Sequence, residues 1–147
     1  LAQSFPALNF LLVDDDDMLA MEMQAMSHSG VSATIARDGR EAARLIDSRD
    51  FDAVAVNLHT PGGYDLLERL GADRNGPPVI ALAAKGRGGA SLEHTLTVAE
   101  LRGACAALMK PIDAIELVAS AIGCVVRRRK PNPALVALQR EFESLVA

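Results

Sequence analysis

Five short apolar runs alternate strictly with helical patterns, and no other feature restricts the fold of this chain so much. The runs are residues 8–13 (LNFLLV), 31–36 (VSATIA), 53–56 (AVAV), 78–83 (PVIALA) and 104–109 (ACAALM). They are short and largely continuous in apolar character rather than alternating, as strands buried on both faces are. Helical patterns follow each run. Residues 18–28 carry Met18, Met21, Met23 and Met26 and stop before Gly30, a residue suited to a helix C-cap. Residues 39–48 place Ala42, Leu45 and Ile46 on one face, and residues 64–70 turn Leu66, Leu67 and Leu70 inward. Residues 92–101 form a weaker pattern. Residues 112–126 form a strong one, with Ile112, Ile115, Ala119, Ile122 and Val126 on one stripe. Five β-α units in this order predict an α/β fold, a doubly wound five-stranded parallel sheet covered on both faces.

Beyond the fifth unit come Arg127, Arg128, Arg129 and Lys130, then Pro131, Asn132 and Pro133. Residues 134–147 (ALVALQREFESLVA) follow, with Leu135, Leu138, Phe142 and Leu145 at helical spacing. The chain therefore divides into a main domain over residues 1–130 and a linker with an extra C-terminal amphipathic helix over residues 131–147. An isolated helix of that length is marginal in water, so its apolar stripe needs burial against the domain or a second copy, unless it begins a longer output helix. The basic residues fit the end of a helix dipole and a solvated linker better than a nucleic-acid contact.

Composition removes several classes. Only 3% of residues are aromatic, so the core must be built from Ala, Val, Leu, Ile and Met. A net charge of −4 and a pI near 5.3 argue against a dedicated nucleic-acid binder. No apolar run approaches a membrane span, and no signal-peptide pattern opens the chain, so the expected location is cytoplasmic with no membrane contact. Cys105 and Cys124 lie 19 residues apart, which is no metal-ligand spacing. In a cytosolic chain they are expected to be two small buried hydrophobes rather than a disulfide.

The expected chemistry sits where the strands end, because open α/β sheets bind ligands in the crevice beyond the carboxyl ends of their strands. Strand one delivers Asp14, Asp15, Asp16 and Asp17, strand three Asn57, strand four Ala83, and strand five Lys110 followed by Pro111. Asp16 or Asp17 suits the N-cap of the following helix. Asp14 and Asp15 suit a hard divalent cation. Lys110 suits either a phosphoryl oxygen or an ion pair with Asp14 or Asp15. The glycines at 86–89 (GRGG) lack a following Lys-Ser/Thr helix start and are no phosphate-binding P-loop.

The succession LLVDDDD, VNLHTPGG, PVIALAA and ALMKPID resembles the receiver domain of two-component response regulators over residues 8–126. The resemblance implies a flavodoxin-like fold with strand order 2-1-3-4-5. It implies that Asp14 and Asp15 match the acidic pair that holds Mg²⁺, and that Lys110 matches the phosphate-contacting lysine. Thr60, Pro61 and Gly62 resemble the turn after the phosphoacceptor. Three positions depart from the pattern. Asn57 stands at the phosphoaccepting aspartate, Ala83 at the Thr/Ser, and Ala107 at the aromatic switch residue. An amide is a poor nucleophile and forms no acyl phosphate. Ala83 has no hydroxyl for a phosphoryl oxygen, and Ala107 no ring to swing.

The expectation is a degenerate receiver that is not an enzyme and needs no cofactor, with weak Mg²⁺ binding at most. Its implied partners are a histidine kinase, a phosphotransfer protein or an output domain. A second copy is also implied, through the face of helix four, strand five and helix five or through the C-terminal helix. Two alternatives stand beside it. One is a conventional phosphoaccepting receiver in which Asn57 is a mutation. The other is a cobalamin or flavin domain on a similar sheet, the NLHTPG turn with His59 echoing a cobalamin-binding motif.

Overall fold

A computed structural model describes residues 7–84, 91–128 and 133–146. The GRGG loop and most of the linker lie outside the described residues. The chain runs β1 (Leu8–Val13), α1 (Asp17–Gln24), β2 (Val31–Ala36), α2 (Gly39–Ser48), β3 (Ala53–Asn57), α3 (Gly63–Ala72), β4 (Val79–Ala84), α4 (Leu92–Leu101), β5 (Ala106–Lys110), α5 (Ala114–Arg128) and α6 (Pro133–Val146). The five strands form one sheet in the order β2-β1-β3-β4-β5, every pair parallel. The expected α/β architecture and strand order are both present.

Alternate residues of each strand face opposite sides, so the sheet feeds two cores. Leu8, Phe10 and Leu12 of β1, Ala53 and Ala55 of β3, and Ile80 and Leu82 of β4 meet α1, α5 and α6. Leu11, Val13, Val54, Val56, Val79 and Ala81 meet α2, α3 and α4 on the other side. Both faces are covered, which is why these strands read as unbroken apolar runs. All five residues of β3 are buried. At the edge, no residue of β5 is fully buried and Met109 is exposed.

Local chemistry closes the elements. Asp38 accepts from the Glu41 backbone N–H at the start of α2, and Ser91 from that of His94 at the start of α4. Glu22 of α1 accepts from the Ala114 N–H at 3.1 Å, tying α1 to the first turn of α5. Gly62, at φ +76°, turns the chain into α3 and lies against Gly39 at the head of α2. The Gly39 N–H donates to the Pro61 carbonyl at 2.8 Å. A Cβ on Gly39 would stand 2.5 Å from the Gly62 carbonyl oxygen, so this crossing admits only glycine without a backbone shift.

Three expectations need correction. The helix expected over residues 18–28 ends as α-helix at Gln24, and Ala25–Ser29 continue as a 3-10 helix closed by Gly30 at φ +86°. Ser27, His28 and Ser29 add no strong helix former to hold the last turn. The cysteines are not separate hydrophobes: Cys105 and Cys124 form a disulfide, their Cα atoms 6.1 Å apart. The crossover from the start of β5 into α5 returns Cys124 beside Cys105, which a 19-residue spacing alone does not reveal. The C-terminal helix, whose burial could be met in more than one way, packs on α5 and joins the first core through Leu135, Leu138 and Phe142. Leu145, expected on that stripe, is exposed. Among the described residues no helix is long and apolar enough to cross a membrane.

Candidate functional site

The register brings three strand ends together. Val13 pairs with Val56, Asn57 with Leu82, and Ala84 with Lys110, so Asp14, Asn57 and Lys110 leave the same edge of the sheet. Their side chains meet. Asn57 Nδ2 donates to Asp14 Oδ1 at 3.1 Å, and Lys110 Nζ donates to Asp14 Oδ2 at 2.8 Å. The Asp16 backbone N–H also donates to Asp14 Oδ1, at 3.1 Å. Asp14 is 1% exposed and Asn57 7%, so both are taken out of water and both are hydrogen-bonded there.

Asn57 is fully used. Its Oδ1 accepts from the His59 N–H at 2.9 Å while its Nδ2 serves Asp14. Only one orientation of the amide satisfies a carboxylate on one side and a backbone N–H on the other. The Asn57 carbonyl in turn accepts from Thr60 Oγ1 at 2.7 Å and from the Thr60 N–H, which folds the turn after β3. His59 in this turn is partly buried, and its Nε2 is buried with no hydrogen-bond partner among the described residues.

Asp16 is the N-cap of α1, as one reading of the acidic run anticipated. Its Oδ1 accepts from the N–H groups of Met18 and Leu19 at 3.0 and 3.2 Å, and its Oδ2 pairs with Lys110 at 3.0 Å. Burial works to raise the Asp16 pKa, but Lys110 and the two helix N–H groups outweigh it and hold the carboxyl below its ordinary value. Burial works to lower that of Lys110, and the hydrogen bonds from Asp14 and Asp16 reverse it, so the ammonium titrates above its ordinary value. The lysine pair anticipated with Asp14 or Asp15 is thus a pair with Asp14 and Asp16. Asp15 lies on the solvent side of the β1–α1 turn and is exposed, whereas Asp16 is turned inward by its capping role. Asp17 pairs on the surface with Arg37 at 2.5 Å.

The two alanines separate. Ala83 is fully buried, whereas Ala84 borders an open cleft lined also by Asp16, Met18, Glu22, Lys110 and Ile112. Ala107 is partly buried against the second core. The signal for Asp16 was present in the sequence as an N-cap; nothing in it distinguished Asp16 from Asp15 as the lysine's second partner.

The donor set fits a divalent cation poorly. Asp14 already receives an ammonium and two N–H donors, Asp15 points to solvent, and Asn57 supplies a neutral oxygen already bonded to His59. Among the described residues no three His, Cys, Asp or Glu side chains converge to hold a metal. Lys110 supplies the charge opposite Asp14, and the Asn57 amide supplies a hydrogen bond.

Residues 10–122 match the family model described as response regulator receiver domain. The transcriptional regulatory protein PrrA of Mycobacterium leprae is 34% identical over 122 residues, covering 81% of this chain and 50% of that protein. The transcriptional regulatory protein TcrA of Mycobacterium tuberculosis is 33% identical over 82 residues, covering 54% of this chain and 32% of that one. A CheY-like response regulator receiver domain protein from Methanospirillum hungatei is 28% identical in its crystal structure, with a TM-score of 0.67, covering 85% of this chain and 97% of that one. The chain spans between 30% and 59% of the length of the curated relatives it matches.

Proposed function

Because this chain belongs to the response regulator receiver domain family, we propose that it is a degenerate receiver, a two-component signalling module that works without aspartyl phosphorylation and through protein–protein contact. One observation carries the reading. The side chain at the end of β3 is an amide that donates to the buried Asp14 carboxylate and adds no negative charge to the Asp14–Lys110–Asp16 network. A phosphoaccepting carboxylate there would need a cation between it and Asp14; the amide needs none. Ala83 and Ala107 are consistent with the same loss, since neither offers a hydroxyl or a ring to read a phosphoryl group.

On this reading Asp14, Asp15, Asn57, Ala83 and Lys110 are the remains of a phosphoacceptor pocket, and Ala107 of a switch. Asp14 and Asp15 then hold Mg²⁺ weakly at best. The module is no enzyme, acts in the cytoplasm, and takes as partner a kinase, a phosphotransfer protein, an output domain or a second copy. Residues 1–130 form the receiver-like unit and 131–147 an appended linker and helix. The exposed Leu101 and Met109 on the α4–β5 side support that face as a contact surface.

Incubation with a small phosphodonor such as acetyl phosphate, followed by intact mass and tryptic mapping, tests the proposal. The parent protein is expected to gain no acyl phosphate, with Asn57→Asp as the positive control. Phosphate on any aspartate of the parent would overturn it and restore the conventional reading.

A further inference from the structure

We infer that Cys105 and Cys124 are a reversible redox modification site, a dithiol that exchanges with disulfides and in its oxidised form clamps β5 to α5. The two are the only cysteines in the chain, so no third thiol competes. Cys105 opens the approach to β5 and is half-buried, while Cys124 is fully buried in α5. Arg127, one turn beyond Cys124, is exposed and lays its Nη2 within 3.3 Å of both sulfurs. A disulfide carries no charge and gives that guanidinium nothing to neutralise. A thiolate does, and a neighbouring cation is what lowers a thiol's pKa and makes it reactive. Arg127 therefore stands where it would stabilise a thiolate of the reduced pair.

Both elements have other anchors. Ladder pairs from Ile80–Ala106 to Ala84–Lys110 hold β5, and Leu117, Val118, Ala121, Ile122 and Val125 hold α5 in the core. Opening the disulfide removes none of these contacts, which is what reversibility requires. The exchange balances with a disulfide as oxidant. The Cys105 thiolate, the more accessible, attacks a disulfide R–S–S–R to give a mixed disulfide and release one thiolate. Cys124 gives its proton to the released thiolate, attacks the Cys105 sulfur, closes the internal bond and releases the second thiolate. Both cysteines are oxidised, and the partner disulfide is reduced to two thiols. Closing a loop of this length is expected to lower the unfolding equilibrium constant by roughly 10²-fold, so the oxidised form melts higher.

The test uses the full chain equilibrated with glutathione at graded ratios of oxidised to reduced form, quenched in acid, alkylated and weighed to count thiols. A pair that passes from two thiols to none within that range, and back again, supports the inference. A pair that stays bonded in excess reduced glutathione is a static brace, and one that never closes is two separate thiols; either result overturns it. Arg127→Gln, with folding checked by circular dichroism, is expected to move the pH profile of thiol alkylation upward and slow the reaction at pH 7 at least threefold. An unchanged profile overturns the role of Arg127. In a Cys105→Ser, Cys124→Ser double variant the melting temperature should no longer follow the glutathione ratio; a persisting dependence overturns the assignment.

Discussion

Asn57→Asp sets a second carboxylate directly against Asp14. Asn57 Nδ2 lies 3.1 Å from Asp14 Oδ1, between residues 7% and 1% exposed. The substitution removes a hydrogen bond to a charged group, worth about 1.5–3 kcal/mol. It also sets two carboxylates at that distance, where unit charges in an effective dielectric of 20 repel by about 5 kcal/mol before anything relaxes. Lys110, 2.8 Å from the other Asp14 oxygen, offsets part of this, and rotation of the new side chain relieves more. The variant is expected to lose about 2–4 kcal/mol at pH 8 without metal, a fall of roughly 5–15 °C in melting temperature.

The sign with pH follows from linkage. A carboxyl forced against another has a folded pKa above its unfolded one, so its penalty is present at high pH and disappears as pH falls through the raised value. Urea melts with chelator at pH 8 and pH 5 should show the deficit shrinking at the lower pH. Millimolar Mg²⁺ should recover part of it in the variant and leave the parent unchanged, since only the variant sets two carboxylates in contact with no lysine between them. If the variant melts within about 0.5 kcal/mol of the parent at pH 8 without metal, by the same linear extrapolation, the crevice tolerates a carboxylate at position 57 and the reasoning fails.

Lys110→Met leaves Asp14 buried without its counter-ion and should cost about 3–5 kcal/mol at pH 7; a double variant that adds Asp14→Asn should recover most of that in chemical denaturation, and no recovery would show the lysine acting elsewhere. The folded pKa of Asp16 is depressed, so its stabilisation is full above the ordinary value of 3.8 and is lost as pH falls through the lowered value. That of Lys110 is raised, so its contribution is full below 10.5 and is lost as pH rises through the raised value. Melts across pH should show both limbs, the alkaline one flattened in Lys110→Met. Gly39→Ala should destabilise by about 1–3 kcal/mol although alanine is the better helix former, because its Cβ meets the Gly62 carbonyl; stabilisation would refute the close crossing. Phe142→Ala, at a residue 2% exposed, should cost about 3–5 kcal/mol; a cost below about 1 kcal/mol, the level of a surface change, would mean that α6 is not docked on α5 in solution.

What could be read beforehand was whatever depends on local pattern. The run AVAV marked β3 because a strand buried on both faces has no polar position to spare, and all of its residues are buried. The strand ends followed from topology, so Asp14, Asn57 and Lys110 were brought to one crevice by alternation alone. What could not be read depends on the phase of one element against another. Asp15 and Asp16 are equally acidic, and only the turn into α1 decides which of them faces Lys110. Ala83 and Ala84 are equal in sequence, and only the register with β5 puts Ala84 on the cleft. The Cys105–Cys124 pair depends on how α5 lies on the sheet, and the resting place of α6 on which of several apolar surfaces is nearest. An apolar stripe announces that it needs cover without naming what covers it.

The ion pair between Lys110 and Asp14 joins residues 96 positions apart. It also sets an order of events during synthesis. When β1 leaves the ribosome, Asp14 has no counter-ion, and at 5–20 residues per second the lysine follows about 5–20 s later. Until then a carboxylate destined to lose its water has nothing to compensate the loss. β1, β2 and β3 can pair in that interval, but the mouth between them must stay hydrated. The crevice closes only when the last strand is laid down at the far side of β4, so a nascent chain halted before Lys110 should hold a partly formed sheet with an open, solvated end.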